Sequence, residues 1–277
     1  MKYLLLSVAV IGAFFCIGVV FVSPPISTAP IYIKNPKELV SEMPQDSPLK
    51  KEVSNAVEIM NQRNADIESF LDENMSIVIQ QDVAIRLQGS IAYEKDNRFR
   101  LIINRRFGAK EADIGSNDQV FWFWTRRHNP PNLFYADHKD VYKSKLKTPF
   151  HPLWMMESLG LKSIDLTDAK ISEFEGNWKI SQKRKSTLGH MVVKSTIIDP
   201  KRLVVLGHYV STLSGQLIAS TEVLEWNEDI PKTIIMRWHN ENVSIKLKFN
   251  RPKINSKIPA KHWGLPNIKP KVNMAED

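Results

Sequence analysis

The feature that most constrains this chain is a two-residue rhythm of apolar and polar side chains that recurs along most of its length. Ile85, Leu87, Gly89, Ile91 and Tyr93 alternate with Arg86, Gln88, Ser90, Ala92 and Glu94. Successive side chains of a strand point to opposite faces, so this pattern specifies a strand with one covered and one solvated face. Phe99, Leu101 and Ile103 then alternate with Arg98, Arg100 and Asn104, and a further strand pair spans Glu111 to Arg126. The rhythm resumes over Gly176–Lys183, His190–Ile198, Arg202–Thr212, Gln216–Trp226 and Thr233–His239. It is sharpest at the end, where Val243, Ile245, Leu247 and Phe249 alternate with Ser244, Lys246 and Lys248. Asp96-Asn97, Ser116-Asn117-Asp118, Asp199-Pro200-Lys201 and Asn240-Glu241-Asn242 supply the turn residues between runs. The covered face is expected to hold Ile85, Leu87, Ile91, Tyr93, Phe99, Leu101, Val243, Ile245, Leu247 and Phe249. The solvated face should hold Arg86, Gln88, Arg98, Arg100, Lys246 and Lys248; a one-residue slip would exchange the two sets.

Helical spacing is confined to three places. Val53, Val57, Met60, Ile67 and Phe70 predict one or two helices over Leu49–Phe70. Short helices are expected at His138–Lys145 and Leu153–Leu159, around the proline-bounded Pro149-Phe150-His151-Pro152. The fold class that follows is α+β and mainly β. It is a strongly curved antiparallel sheet, an unclosed half-barrel of about ten strands, with helices over its concave face. A sheet that wide curls, which hides its apolar side and can enclose a cavity.

The N-terminus differs. Tyr3 to Val22 is an uncharged, mainly apolar run behind Lys2, long enough as a helix to cross a hydrocarbon core of about 30 Å. The small-residue exits Phe21-Val22-Ser23 and Ser27-Thr28-Ala29 are each followed by proline, a poor cleavage context. The reading is an uncleaved signal anchor with Lys2 inside and the domain outside. Phe15 before Cys16 is a poor match to the small residue that lipoprotein processing prefers, so Cys16 reads as buried among lipid tails, with a lipid-modified Cys16 as the alternative. Pro24, Pro25, Pro30, Pro36, Pro44 and Pro48 make the next stretch an extended linker. The expected organisation is an anchor at 1–23, a linker at 24–48 and one β domain at 49–277. A single pass through the cell inner membrane would hold that domain on the extracytoplasmic side.

Cys16 is the only cysteine, so the β domain has no disulfide, cysteine zinc site or thiol nucleophile. The net charge is +8, and the basic residues are scattered, densest at Arg105-Arg106, Arg126-Arg127 and Lys183-Arg184-Lys185. These read as solvated hairpin ends, and no nucleic-acid-binding motif accompanies them. The seven histidines form no H-E-x-x-H or H-x-H spacing. Asp113, Asp118, Asp140 and Glu157 sit near turns without composing an acid/base pair. No nucleophile elbow, phosphate loop or dinucleotide fingerprint occurs. A protein that is not an enzyme, with neither cofactor nor metal, is expected. Phe121-Trp122-Phe123-Trp124 puts aromatics on both faces of one strand. One pair can serve the core, while the other needs a cover, which could be the helical insertion or a ligand.

The run E-A-D-I-G-S-N-D-Q-V-F-W-F-W at Glu111–Trp124 resembles the strand, turn and aromatic strand of the periplasmic lipoprotein carrier LolA and its relatives. Gly89-Ser90-Ile91-Ala92-Tyr93 through Asn97-Arg98-Phe99-Arg100 is similar to that family's preceding hairpin. Val243–Phe249 with Asn255 and Ile258-Pro259 is similar to its closing strand and exit. The resemblance covers roughly Leu49 to Pro266, more by order of elements than by identity. Three departures stand out. Asp118 replaces the usual turn glycine, the insertion around Phe150–Glu157 is extra, and a permanent anchor is closer to the membrane-bound receptor LolB than to a soluble shuttle. The resemblance implies binding of lipid or lipoprotein acyl chains in a cavity lined by Ile91, Tyr93, Phe99, Leu101, Phe121 and Phe123. Trp122 and Trp124 form the alternative face, and Lys95 stands at the rim to meet a head group. Two other readings stay open: a sensor or scaffold of the same fold for an envelope protein partner, and a hydrolase with its site in the insertion.

Overall fold

A computed structural model of the chain describes residues 48–95, 98–105, 108–143, 156–157, 159–186, 190–228 and 230–275. The proposed anchor and linker over residues 1–47 therefore lie outside the described residues, as do the Asp96-Asn97 turn and most of the Leu153–Leu159 helix. No helix among the described residues is long and apolar enough to cross a membrane.

Helix α1 spans Pro48–Ala65. Proline suits its first turn, where the missing N–H has no helical partner anyway. Val53, Ala56, Val57 and Met60, at helical spacing, form its buried stripe. The guanidinium of Arg63 in the last turn donates to the Leu203 carbonyl at 2.7 Å. The helix ends before Ile67 and Phe70, and Phe70 belongs to the first strand.

Fifteen strands follow: β1 Ser69–Gln80, β2 Ala84–Glu94, β3 Arg98–Asn104, β4 Lys110–Ser116, β5 Val120–Thr125, β6 Leu133–Asp137, β7 Lys170–Phe174, β8 Asn177–Lys185, β9 Met191–Asp199, β10 Val204–Thr212, β11 Leu217–Asn227, β12 Ile230–Trp238, β13 Val243–Lys248, β14 Lys253–Ile254 and β15 Lys271–Asn273. A 3-10 helix, His138–Lys143, occupies the first expected helical stretch of the insertion. The expected ten strands correspond to β2–β5 and β8–β13. The sheet is wider because β1, β6, β7, β14 and β15 also pair into it. It is mixed rather than antiparallel, since β15 runs parallel to β6.

The strand order is β15-β6-β5-β4-β3-β2-β1-β13-β12-β11-β10-β9-β8-β7, with β14 on β1. Two meanders thus diverge from the central β1–β13 pair. No pairing closes β7 onto β15 among the described residues. The β6–β7 connection must cross between the two arms of the sheet, a flat span of about 58 Å at about 4.8 Å per strand. It does so over the apolar face, where Met156, Leu159 and Leu161 are buried in the main core with residues of β1–β6 and β11–β13. The rest of that face, on β7–β10, is covered by α1 through Val53, Val57 and Met60 against Trp178, Ile180 and Ile198.

The facing expectation holds for Leu87, Ile91, Tyr93, Phe99, Leu101, Val243, Ile245, Leu247 and Phe249, all buried, and Ile85 packs at their margin. Arg86, Gln88 and Lys248 are exposed, and Arg98 and Lys246 partly so. Arg100 departs from expectation. It is on the outer face, but its side chain is only 12% exposed and pairs with Asp113, because the C-terminal segment covers that part of the sheet. After β14 the chain runs across the outer face, packing Ile258 and Trp263 on Leu71 and Ala92. It then brings Leu265 and Ile268 against Trp122, Trp124 and Leu133. The second aromatic face therefore lies under the C-terminal strap.

Candidate functional site

Register assembles the expected wall. Phe70 pairs with Tyr93, Tyr93 with Phe99, Phe99 with Ser116, and Ser116 with Phe121. The adjacent row joins Ile91, Leu101, Ile114, Phe123 and Phe134. The six apolar residues singled out in the sequence thus occupy two neighbouring rows across β2–β5, all on the concave face and all buried. Lys95 stands apart at the α1–β1 junction. Its ammonium donates to the Ala65 carbonyl and to Glu68, each at 2.6 Å.

A small open cleft, with about 40 Å³ of cavity space, lies where α1, the 159–161 segment and the β11–β12 end meet. Met60, Ile67, Phe70, Leu161, Trp226 and Ile230 give it an apolar lining, and Arg63 stands on its wall. Phe70 joins the cleft to the wall, since it is the first member of the Tyr93–Phe99–Phe121 row. The sequence rhythm did not indicate this cleft, because its residues come from a helix end, a hairpin end and a β-bulge.

The cover is held by a small polar group on the concave face of β9 and β10. Glu157 forms an ion pair with Lys194 at 2.6 Å. The Nε2 of His208 lies 3.0 Å from the Glu157 carbonyl, and its Nδ1 lies 3.0 Å from the Thr196 hydroxyl. Nε2–H can therefore donate to the carbonyl while the hydroxyl donates to Nδ1, an arrangement suited to neutral imidazole. Burial, reinforced by Lys194, pushes the His208 pKa down to about 4 against the opposing pull of Glu157. The Thr221 hydroxyl, next to His208 in the β10–β11 register, is buried with no hydrogen-bond partner. In the sequence, His208 sits between Leu206 and Val210 at an inward position of its strand, and that interruption of an apolar face was the available signal.

Neither this group nor the cleft has the composition of a metal centre, and no cluster of metal-ligating side chains occurs among the described residues. The outer face carries a separate polar cluster. Asp113 accepts from Arg100, Lys110 and the Trp122 indole, the last at 3.1 Å. Burial alone would raise its pKa, but the Arg100 and Lys110 contacts outweigh it and the carboxyl titrates below the usual range. Its partners are all engaged within the sheet and the strap, a structural arrangement.

A wide, unclosed sheet curled over an apolar face has counterparts among solved structures. Three solved structures share it. A DUF1329 family protein from Desulfovibrio piger superposes with a TM-score of 0.52 at 8% identity, covering 79% of this chain and 98% of that one. A domain named for outer membrane lipoprotein sorting, from Vibrio parahaemolyticus, gives 0.50 at 12% identity, covering 76% and 96%. A LolA superfamily protein from Nitrosomonas europaea gives 0.50 at 10% identity, covering 76% and 97%. No family model matches the sequence, and no curated protein matches it. The shared property is the fold.

Proposed function

We propose that this protein is a membrane-anchored, extracytoplasmic binding protein that holds lipid or lipoprotein acyl chains against the concave face of its sheet, without covalent chemistry. The observation that carries the reading is the continuity between an open apolar cleft and a two-row apolar wall through Phe70. The wall residues are Ile91, Tyr93, Phe99, Leu101, Phe121 and Phe123. They are closed over in this state, so a ligand enters only as the covering segment shifts. Lys95 stands outside the cleft lining and meets a head group only if its pairing with Glu68 opens. Each methylene moved from water to such a wall contributes about 0.8 kcal/mol, so one acyl chain supplies ample affinity. Two of the three similar folds carry names from lipoprotein sorting or the LolA superfamily, which supports the same ligand class. Residues 1–23 would retain the protein in the inner membrane.

Native mass spectrometry of the full chain extracted from membranes tests this. Bound lipid or acyl-modified peptide is expected on the wild type. Ile230→Glu, at the partly exposed mouth, should leave the fold intact by circular dichroism and remove most of the adduct. Phe99→Asp and Phe121→Asp should do so wherever they still fold. A wild-type protein free of lipid that instead captures an envelope protein would favour the scaffold reading.

A further inference from the structure

Four large apolar side chains stay mostly in water among the described residues: Ile59, Val83, Met191 and Leu213. Ile59 stands alone on the outer side of α1. The other three share one rim of the sheet. Val83, 54% exposed, is in the β1–β2 turn; Leu213, 58% exposed, is in the β10–β11 turn; Met191, 49% exposed, opens β9. Scattered exposed apolar residues are ordinary, but grouped ones mark a contact surface.

The register makes the grouping concrete. Thr212 pairs with Val192, which puts Leu213 beside Met191, and Met191 pairs with Lys185 on β8. Lys185, Met191 and Leu213 therefore form one row at the tip of adjacent hairpins. Lys183, Lys185 and His190 are exposed around it, and neither lysine has a carboxylate partner among the described residues. Arg86 is exposed beside the β1–β2 turn, whereas Arg105 and Arg126, about half exposed, are paired with Glu111, and the exposed Asp82 and Glu241 lie on the same rim nearer Val83. The opposite rim differs chiefly in its apolar residues. There Lys95 is tied to Glu68, Arg98 to Glu94 and Asp118, and Arg202 to the Glu228 carbonyl and the Trp226 ring. Its exposed large apolar residues are absent among the described residues.

We infer that the Val83–Met191–Leu213 rim docks onto a bilayer surface that contains anionic lipid. The three apolar side chains enter the acyl boundary, and Lys183 and Lys185 meet the phosphates. Exposed Met191 and Leu213 beside the unpaired Lys183 and Lys185 have the chemistry of an interfacial membrane contact. The charge complementarity selects an anionic lipid face over a neutral one. This inference is independent of the cavity: a protein that carries no acyl chain could still dock this way, and a carrier could fail to.

The test uses the full chain in protein-free lipid nanodiscs, with Cys16→Ser and one added cysteine carrying an environment-sensitive fluorophore. Leu213→Cys reports the proposed rim, and Lys201→Cys, in the β9–β10 turn, reports the opposite one. With phosphatidylglycerol present, acyl-brominated lipid should quench the Leu213→Cys label and spare the Lys201→Cys label. The quench should fall when phosphatidylglycerol is replaced by phosphatidylcholine, and when salt screens the surface. Neutralising Lys183 and Lys185 together should weaken docking roughly thirtyfold. A Leu213→Cys label that remains water-exposed on anionic nanodiscs overturns the proposal and leaves the rim to a protein partner. Equal quenching with or without the two lysines overturns it as well.

Discussion

Arg100 and Asp113 lie on a diagonal of neighbouring strands, and their meeting shows how a residue position acquires a role that alternation does not announce. The guanidinium grips both carboxylate oxygens, at 3.0 and 2.8 Å, and donates a further bond to the His262 carbonyl in the C-terminal strap. Gly115 stands between Arg100 and Trp122 in the same row. A Cβ there would come within 2.3 Å of the indole, so only glycine lets the ring lie across to Asp113. The alternation assigned Arg100 correctly to the outer face, yet solvent exposure depended on what the distant strap would cover. Asp113→Asn removes the charge while leaving Arg100 and Lys110 in place. Breaking a buried pair from one side costs about 3–5 kcal/mol, so the urea midpoint should drop sharply. The carboxyl titrates lower in the folded than in the unfolded chain. Its stabilisation is therefore complete above the ordinary carboxylate range and fades as acid protonates it. A midpoint unchanged in Asp113→Asn would mean that the strap, not the ion pair, fixes this part of the sheet.

Among the elements, those with an unbroken rhythm were legible and those that interrupt it were not. β13 and the β2–β3 hairpin alternate cleanly and fold as expected. β1 alternates only from Met75 onward, because a bulge between Asp72 and Met75 inserts polar residues into its middle. Asp72 is buried there and accepts from the backbone N–H groups of Asn74, Asn250 and Arg251. A carboxylate thus serves the turn after β13 from inside an apparent loop sequence. β6, β7, β14 and β15 are too short to establish any period. The C-terminal strap has none either, since its fit depends on Trp263, Leu265 and Ile268 meeting side chains from remote strands. Trp263 is buried and its indole donates to Glu94 at 3.1 Å. Trp263→Ala should cost about 3–5 kcal/mol and open 256–270 to protease well before the rest of the domain unfolds. Equal protease resistance in variant and wild type would show that the strap is held mainly by its β15–β6 pairing.

At the scale of the whole molecule, the two-armed sheet sets how the protein could open. Met156, Leu159 and Leu161 of the β6–β7 connection pack on the concave face, so the segment that completes the core also covers the proposed binding wall. The six wall residues could be found in the sequence because each lies at an inward position of a regular strand. The cover could not, because its contacts join residues far apart in the chain: Glu157 with Lys194, and Glu157 with His208. Burial beside Lys194 favours neutral imidazole in that clamp. The His208 pKa of about 4 lies below its ordinary value of 6.5, so an opened or unfolded chain takes up a proton that the closed form refuses. Closure is fully stabilised above pH 6.5, weakens by at most about 1.4 kcal/mol per pH unit below it, and has lost the whole contribution below about pH 4. The full effect is at most about 3 kcal/mol, and smaller because water partly reaches the ring. Amide hydrogen exchange, corrected for the intrinsic pH dependence of exchange, should therefore show protection of residues 156–161 falling between pH 7 and 4.5. The central β1–β13 pair should stay protected over the same range. His208→Asn, which does not titrate, should flatten the response at 156–161. If the wild-type segment keeps its protection throughout, or if His208→Asn responds as the wild type does, then Lys194 and the apolar contacts of Met156, Leu159 and Leu161 hold the cover without the histidine.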